Sequence, residues 1–439
     1  MDINPASDIT SSASDSPAPC RSPAPPPPAA PWVRVAVLII LALAAVVRLV
    51  ALDQIPPGLW YDEAIYALDG LEVATEGPRL FYTTENHMRE PLYIWSLGAF
   101  FALFGAGVWE ARLVSALWGI AAVAAFWPVV RRALREAFPA AREAPGPSPS
   151  SSRLADADLF PLVALLAFAV FRWHVHFSRT IFRALLPSLF ILLVVWLFRR
   201  WQECRRPLPA ILTGVVLGLG MYTYLSFRLV PVLMTLWGTW LLWQRRITWR
   251  QDTRQIALLA GVALLVFSPL GIDWILHPEH FSGRTSEVSM FTKTVTVRGA
   301  DGEVRTETVP KTTGEALLDI GRNALQVAGM WTIRGDHVGK HNLPLEPVFD
   351  WANGVVFYAG LVWCLLNAPS CEWAFLTLAW LGVLSLTSIF SFGAPNILRM
   401  QGAAPAAVLA WAFGLRWLAA GAVRAGLSPV VWRVACGAL

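Results

Sequence analysis

The chain has 439 residues, of which 56% are hydrophobic and only 15% charged. Soluble domains carry nearer a quarter charged residues, which excludes an ordinary water-soluble globule. A net charge of +5 does not point to nucleic acid either, because the basic residues are divided among short segments rather than gathered on one face.

Residues 1–31 are rich in Pro, Ala and Ser, with an unbroken run of prolines at 25–28, and cannot bury a core. They are expected to form a disordered cytoplasmic tail, leaving 32–439 as a transmembrane domain. Apolar blocks follow at 33–52, 92–107, 110–130, 158–174, 181–198, 208–225, 228–243, 255–275, 351–367, 372–391 and 401–419. About 20 apolar residues cross the roughly 30 Å hydrocarbon layer, and a backbone inside lipid must satisfy its own hydrogen bonds, so these blocks predict helices. The first is too long for the apolar stretch of a signal peptide and reads as a retained span. Several of the 22 tryptophans, among them Trp32, Trp60, Trp201, Trp249, Trp274 and Trp351, sit at block ends, where indole favours the headgroup level.

If every block crossed, with the N-terminus inside, Arg131, Arg132 and Arg135, then Arg199, Arg200, Arg205 and Arg206, then Arg245, Arg246, Arg250 and Arg254 would all lie outside. Short Arg-rich loops belong in the cytoplasm. Reading 92–107, which is short and carries Gly98 and Gly105, as an interfacial helix removes the conflict. The resulting expectation is an all-α polytopic protein of about ten spans, both termini cytoplasmic, in the cell membrane. An eleven-span map with the N-terminus outside is the rival. On the ten-span map all seven histidines fall on the outer side and none of the five cysteines lies in an outer loop, so no disulfide framework is implied. The outer side then holds a first loop at 53–109, a short loop at about 175–183 and a long loop at 276–350. In the last, Thr- and Val-rich residues 293–308 flank Asp301-Gly302 and predict a small β-hairpin.

Asp62 and Glu63 stand at the start of a predicted helix just past the first span. Helix neighbours do not share a face, so the two carboxylates are expected to divide their work, one facing a cleft and one positioning the loop. The plainer reading is an N-cap and a favourable charge at the helix start. Glu90 directly precedes Pro91 and the interfacial helix. A carboxylate at an apolar boundary is costly unless partnered, and such residues are functional candidates by default. In the short loop, Arg179 and Arg183 share a helical face, with no acidic residue between Phe171 and Arg200. A bound phosphate would relieve their repulsion and fit the forked guanidinium; snorkelling to headgroups is the alternative. Arg228, Lys340, His341 and Arg399 are further basic candidates for the same outer cleft.

Asp62-Glu63, Glu90-Pro91-Leu92, Ser178-Arg179 with Arg183, the segment from Gly220 to Arg228, His341-Asn342-Leu343-Pro344 and Pro395 to Arg399 together resemble the GT-C membrane glycosyltransferases. The nearest branch is the family 39-like one, containing the protein O-mannosyltransferases and the lipid A aminoarabinose transferase. The resemblance implies a polyprenyl-phosphate sugar donor, transfer to a hydroxyl acceptor (protein, lipid or glycan) on the extracytoplasmic side, and inversion at the anomeric carbon. It puts Asp62 in the place of the catalytic base with Glu63 beside it, Tyr61 and Glu90 as acceptor-positioning residues, and Arg179, Arg183, Arg228, Lys340, His341 and Arg399 against the donor phosphate. Metal-dependent relatives carry acidic ligands in the second outer loop. This loop has none, so neither a catalytic divalent metal nor any other cofactor is expected. A ligase or polymerase using a diphosphate-linked glycan would also want outer arginines, but not the early acidic pair. A secondary transporter would show internal repeats and mid-membrane ionisable groups, and no repeat is visible.

Overall fold

The computed structural model describes residues 30–80, 89–139, 151–287, 290–298 and 304–425. The proline-rich tail lies outside the described residues.

Each apolar block becomes a helix. α1 (Pro31–Leu49) leads into α2 (Tyr61–Glu76), which turns back as α3 (Leu92–Phe104). α4 (Val108–Ala137) is the longest, and α5 (Ser151–Val170) bends by 49° into the short α6 (Arg172–Ser178). α7 (Leu186–Cys204), α8 (Pro207–Gly220), α9 (Val230–Trp243) and α10 (Trp249–Leu276) follow. The long loop contributes α11 (Pro278–Glu287), strands β1 (Thr292–Arg298) and β2 (Val304–Pro310), and α12 (Thr313–Gly329). α13 (Trp351–Asn367), α14 (Glu372–Ile389) and α15 (Ala404–Arg424) close the bundle.

Seven helices are long and apolar enough to cross a bilayer, and the bent α5–α6 pair makes eight. α8 and α13, with 14 and 17 residues, are shorter apolar helices that stand where two more of the ten expected spans were placed. α3 has only 13 residues. At 1.5 Å per residue that is about 20 Å, short of the hydrocarbon thickness. It packs on α2 as a helical hairpin rather than crossing, which agrees with an interfacial element. The β-hairpin also forms: β1 and β2 pair antiparallel from Thr292 opposite Pro310 to Arg298 opposite Val304, and its expected turn at 299–303 lies outside the described residues.

Hydrophobic burial drives little helix association in lipid, so close backbone contact must hold the bundle together. α13 and α15 show how. A Cβ on Gly360 would stand 1.7 Å from the Ala410 carbonyl oxygen, and one on Gly414 would stand 1.9 Å from that of Val356. Only glycine permits that crossing. Around it Trp201, Trp237, Trp373 and Trp380 are wholly buried.

The end of the bundle that carries the Arg-rich segments is a closed ionic network. Glu372 accepts hydrogen bonds from Arg199 at 2.5 Å, Arg246 at 3.0 Å and the Trp237 indole at 3.0 Å. Glu136 accepts from Arg132, Arg199 and the Trp373 indole at 2.5–2.7 Å. Asp158 serves Arg131 and Arg135, and Asp252 serves Arg205.

Candidate functional site at the loop end of the bundle

The opposite end is assembled from segments far apart in the chain. After α1 the backbone turns through Ala51 to Gly58 and enters α2. Arg112, wholly buried near the start of α4, donates to the carbonyls of Leu52 (3.0 Å), Pro56 (2.9 Å) and Gly58. Arg179 does the same from the other side, donating to Val47, Val50, Ala51 and Ile55 at 2.7–3.2 Å. The last carbonyls of α1 have no helical donors, and Arg179 supplies them.

Glu63 is completely buried. One carboxylate oxygen accepts from the Trp60 backbone N–H at 3.0 Å, closing the start of α2. The other accepts from the Ile181 N–H at 2.9 Å, with Arg112 3.9 Å away. Glu63 therefore ties the short loop to α2. Its neighbour Asp62 turns outward, about one third exposed, and forms an ion pair with Lys340 from the long loop. The two carboxylates thus point apart, as neighbours on a helix must. Tyr61 is exposed.

Arg183 is buried and ion-paired to Glu90, with its Nε 3.3 Å from the Tyr66 hydroxyl and its guanidinium over the rings of Tyr66 and Tyr224. Arg228 reaches the second oxygen of Glu90 at 3.1 Å and donates to the Phe281 carbonyl at 2.9 Å. Burial would raise the Glu90 pKa, but the two guanidinium groups outweigh it and hold the carboxyl below its ordinary value. Arg89 beside it pairs with Asp69 at 2.6 Å. The shortage of local acid that suggested a bound anion is thus met differently. The chain brings Glu90 from the first loop to Arg183, and gives Arg179 carbonyls. In this arrangement Arg183 and Arg228 share Glu90, and Arg179 is engaged by backbone carbonyls.

The 330–350 segment supplies the remaining wall. Asp336, wholly buried, accepts from the backbone N–H groups of Val338 (2.9 Å) and Ile397 (3.1 Å) and lies 3.0 Å from His341 Nδ1. That contact fixes the imidazole, and leaves His341 Nε2 buried without a hydrogen-bond partner. Burial pushes the His341 pKa below its ordinary value, with Asp336 pulling partly back, so the ring is neutral at physiological pH. His176 Nε2 lies 2.9 Å from the Lys340 carbonyl oxygen, binding the short loop to the long one. Arg399 donates to the Ser391 hydroxyl at 2.5 Å and the Phe392 carbonyl at 2.6 Å. Asp62, Lys340, His341 and Asp336, and through Asp336 the 395–399 turn, form one connected wall. Arg183, Glu90 and Arg228 join it through Tyr66 and Phe182, whose rings contact each other and His341.

Three roles were not foreseen in the sequence. Asp336 reaches Ile397 and Arg112 reaches Leu52, Pro56 and Gly58 across long stretches of chain, and no local spacing reveals those contacts. Asp273, His277 and His280 could hold a metal ion: His277 Nδ1 is 3.3 Å and His280 Nδ1 2.6 Å from Asp273, and the potential ligand atoms all lie within 4.8 Å. Here a signal existed, two histidines three apart and an aspartate a helical turn before them.

No protein-family profile and no curated protein matches the chain. Solved structures do. ArnT from Cupriavidus metallidurans, bound to undecaprenyl phosphate, superposes with a TM-score of 0.52 at 15% identity, covering 89% of this chain and 63% of that one. Its apo state gives 0.53 at 15% identity, covering 91% and 61%. The fold is that of the GT-C glycosyltransferases. The Pmt1–Pmt2 protein O-mannosyltransferase complex of S. cerevisiae, bound to its sugar donor, shows a weaker likeness, with a TM-score of 0.37 at 19% identity over 59% of this chain and 34% of that one. The chain spans about three fifths of the length of the ArnT chains.

Proposed function

We propose that this chain is a glycosyltransferase that moves a sugar from a polyprenyl-phosphate donor to a hydroxyl acceptor, with inversion, on the extracytoplasmic face. The observation that carries the reading is the Asp62–Lys340 pair, a carboxylate and an ammonium both about one third exposed, set beside buried and fully paired neighbours. The ArnT structure holding undecaprenyl phosphate lends the donor class its support.

In the resting arrangement Lys340 occupies Asp62. An arriving donor phosphate competes for the ammonium, and Arg399 stands on the same wall to share it. Asp62 is then released to accept a proton. The acceptor oxygen attacks the anomeric carbon, its proton passes to Asp62, and the bond from carbon to phosphate oxygen breaks with the electron pair leaving on the polyprenyl phosphate. General-base help of this kind contributes roughly 10²–10⁴-fold. Because the leaving group departs as a phosphate already met by fixed cations, it needs no general acid. Neutral His341, oriented by Asp336, offers Nε2 as an acceptor for a substrate hydroxyl. Glu90 with Arg183 and Arg228, and Glu63 with Arg112, hold the two sides of the cleft, with Arg179 bracing the loop and Tyr61 at its rim. No step requires a metal at the reacting atoms.

Asp62→Asn should lower turnover about 10²–10⁴-fold without changing the melting temperature. Full transfer by a folded Asp62→Asn protein would remove the base and the mechanism with it. Sidedness is tested by single-cysteine labelling in intact cells. Glu76→Cys should react with an impermeant maleimide and Arg206→Cys only after the membrane is opened.

A further inference from the structure

α12 packs one face on the bundle: Val327 is buried, and the Asn323 amide donates to the carbonyls of Ile389 (2.9 Å) and Ser391 (3.2 Å) at the end of α14. Its opposite face is bare. Leu318 and Leu325 are 77% and 76% exposed, and Ile333 just beyond the helix is 79% exposed. These side chains line a cavity of about 1130 Å³ between α12, the 333–345 segment and Ala394-Pro395. That exceeds the roughly 300–1,000 Å³ of ordinary small-molecule sites. The charge in this groove is one-sided. Its two carboxylates are taken, Glu315 by Lys293 and Asp319 by Lys311. Arg322 and Arg334 line it too, and neither has a carboxylate partner among the described residues.

We infer that this groove docks an anionic phospholipid from the bilayer, its acyl chain along Leu318, Leu325 and Ile333 and its phosphate between Arg322 and Arg334. Two observations favour that occupant over a protein. The groove opens at the end of α14, a candidate span, which is headgroup depth, where an apolar helix face flanked by arginines belongs in the interface plane. Two guanidinium groups without carboxylate partners among the described residues also select a head whose phosphate charge is not cancelled by an ammonium, each contributing about 1 kcal/mol near an anionic membrane surface. None of these residues belongs to the proposed reaction, so the site stands or falls apart from it.

The test uses the full chain in nanodiscs of equal phosphatidylcholine and phosphatidylglycerol, extracted gently and weighed by native mass spectrometry. Retained phosphatidylglycerol should exceed phosphatidylcholine by about tenfold, somewhat under what two full contributions would give. Arg322→Gln with Arg334→Gln should abolish that preference, whereas Arg250→Gln, also exposed but at the other end, should leave it intact. Leu318→Asn with Leu325→Asn should reduce retention of both lipids. All these side chains are exposed, so unchanged melting temperatures are expected and serve as the folding control. Equal retention of the two lipids by the unaltered chain, or an undiminished preference after both arginine changes, would overturn the proposal. So would full phosphatidylglycerol retention in the leucine variant, which would reduce the site to one for bare phosphate.

Discussion

Both ends of the helical bundle bury arginine, but they neutralise it in different ways. At the Arg-rich end Glu136, Glu372, Asp158 and Asp252 sit on the helices themselves or directly beside them, and their side chains are at most 17% exposed. Every one of them is shared by tryptophan, arginine or both, or by a backbone N–H. At the loop end Arg112 and Arg179 lean on backbone carbonyls, Arg183 and Arg228 share the distant Glu90, and Arg89 takes Asp69, while Asp62 and Lys340 keep about a third of their surface. A closed network confers rigidity, and one left ajar lets a ligand exchange partners. That contrast separates a wholly buried ionic network from a partly open one.

The contrast can be broken by experiment. The largest effect after loss of the base is expected where a buried charge is stranded. Glu372→Ala leaves Arg199 and Arg246 without their carboxylate and should cost about 3–5 kcal/mol in a denaturation measurement, with transfer per folded molecule unchanged. Glu90→Ala should cost a similar amount and also lower activity. If instead it left stability intact and abolished transfer, the Glu90 cluster would be reactive rather than structural. Lys340→Met is expected to raise the donor KM about tenfold, the worth of one charge-assisted hydrogen bond, while changing kcat less. Smaller still is the pH effect. His341 has its pKa lowered in the fold, so charging it is unfavourable there, and its contribution is present above the ordinary imidazole value of 6.5 and lost as pH falls below it. Activity should therefore decline on the acid side, and Asp336→Asn should move that limb by weakening the hold on Nδ1. Last, dialysis against a chelator should leave transfer unchanged. A loss restored by zinc would give Asp273, His277 and His280 a part in the reaction.

Much of the fold was legible because a bilayer imposes a length on apolar segments that composition alone reveals. The long apolar helices, the short 92–107 helix and the β-hairpin all rest on such local rules. The acidic pair was legible too, since adjacent carboxylates at a helix start must face apart. What the sequence hid is pairing. Arg183 finds Glu90 across 93 positions and Lys340 finds Asp62 across 278. A missing local acid therefore said nothing about a missing partner, and pairings of that length lie beyond any reading of local spacing. His341 was visible as a basic candidate, but its free Nε2 depends on Asp336, whose grip on Ile397 crosses 61 positions.

The triple grasp of Arg112 on the Leu52, Pro56 and Gly58 carbonyls has a consequence for evolution of this chain. The segment it anchors ends three residues before Tyr61, so a wholly buried guanidinium decides the angle at which Asp62 is presented. Lysine there would preserve charge yet lose the planar fork that spans the three carbonyls, so Asp62 would be held less steadily before the protein lost its shape.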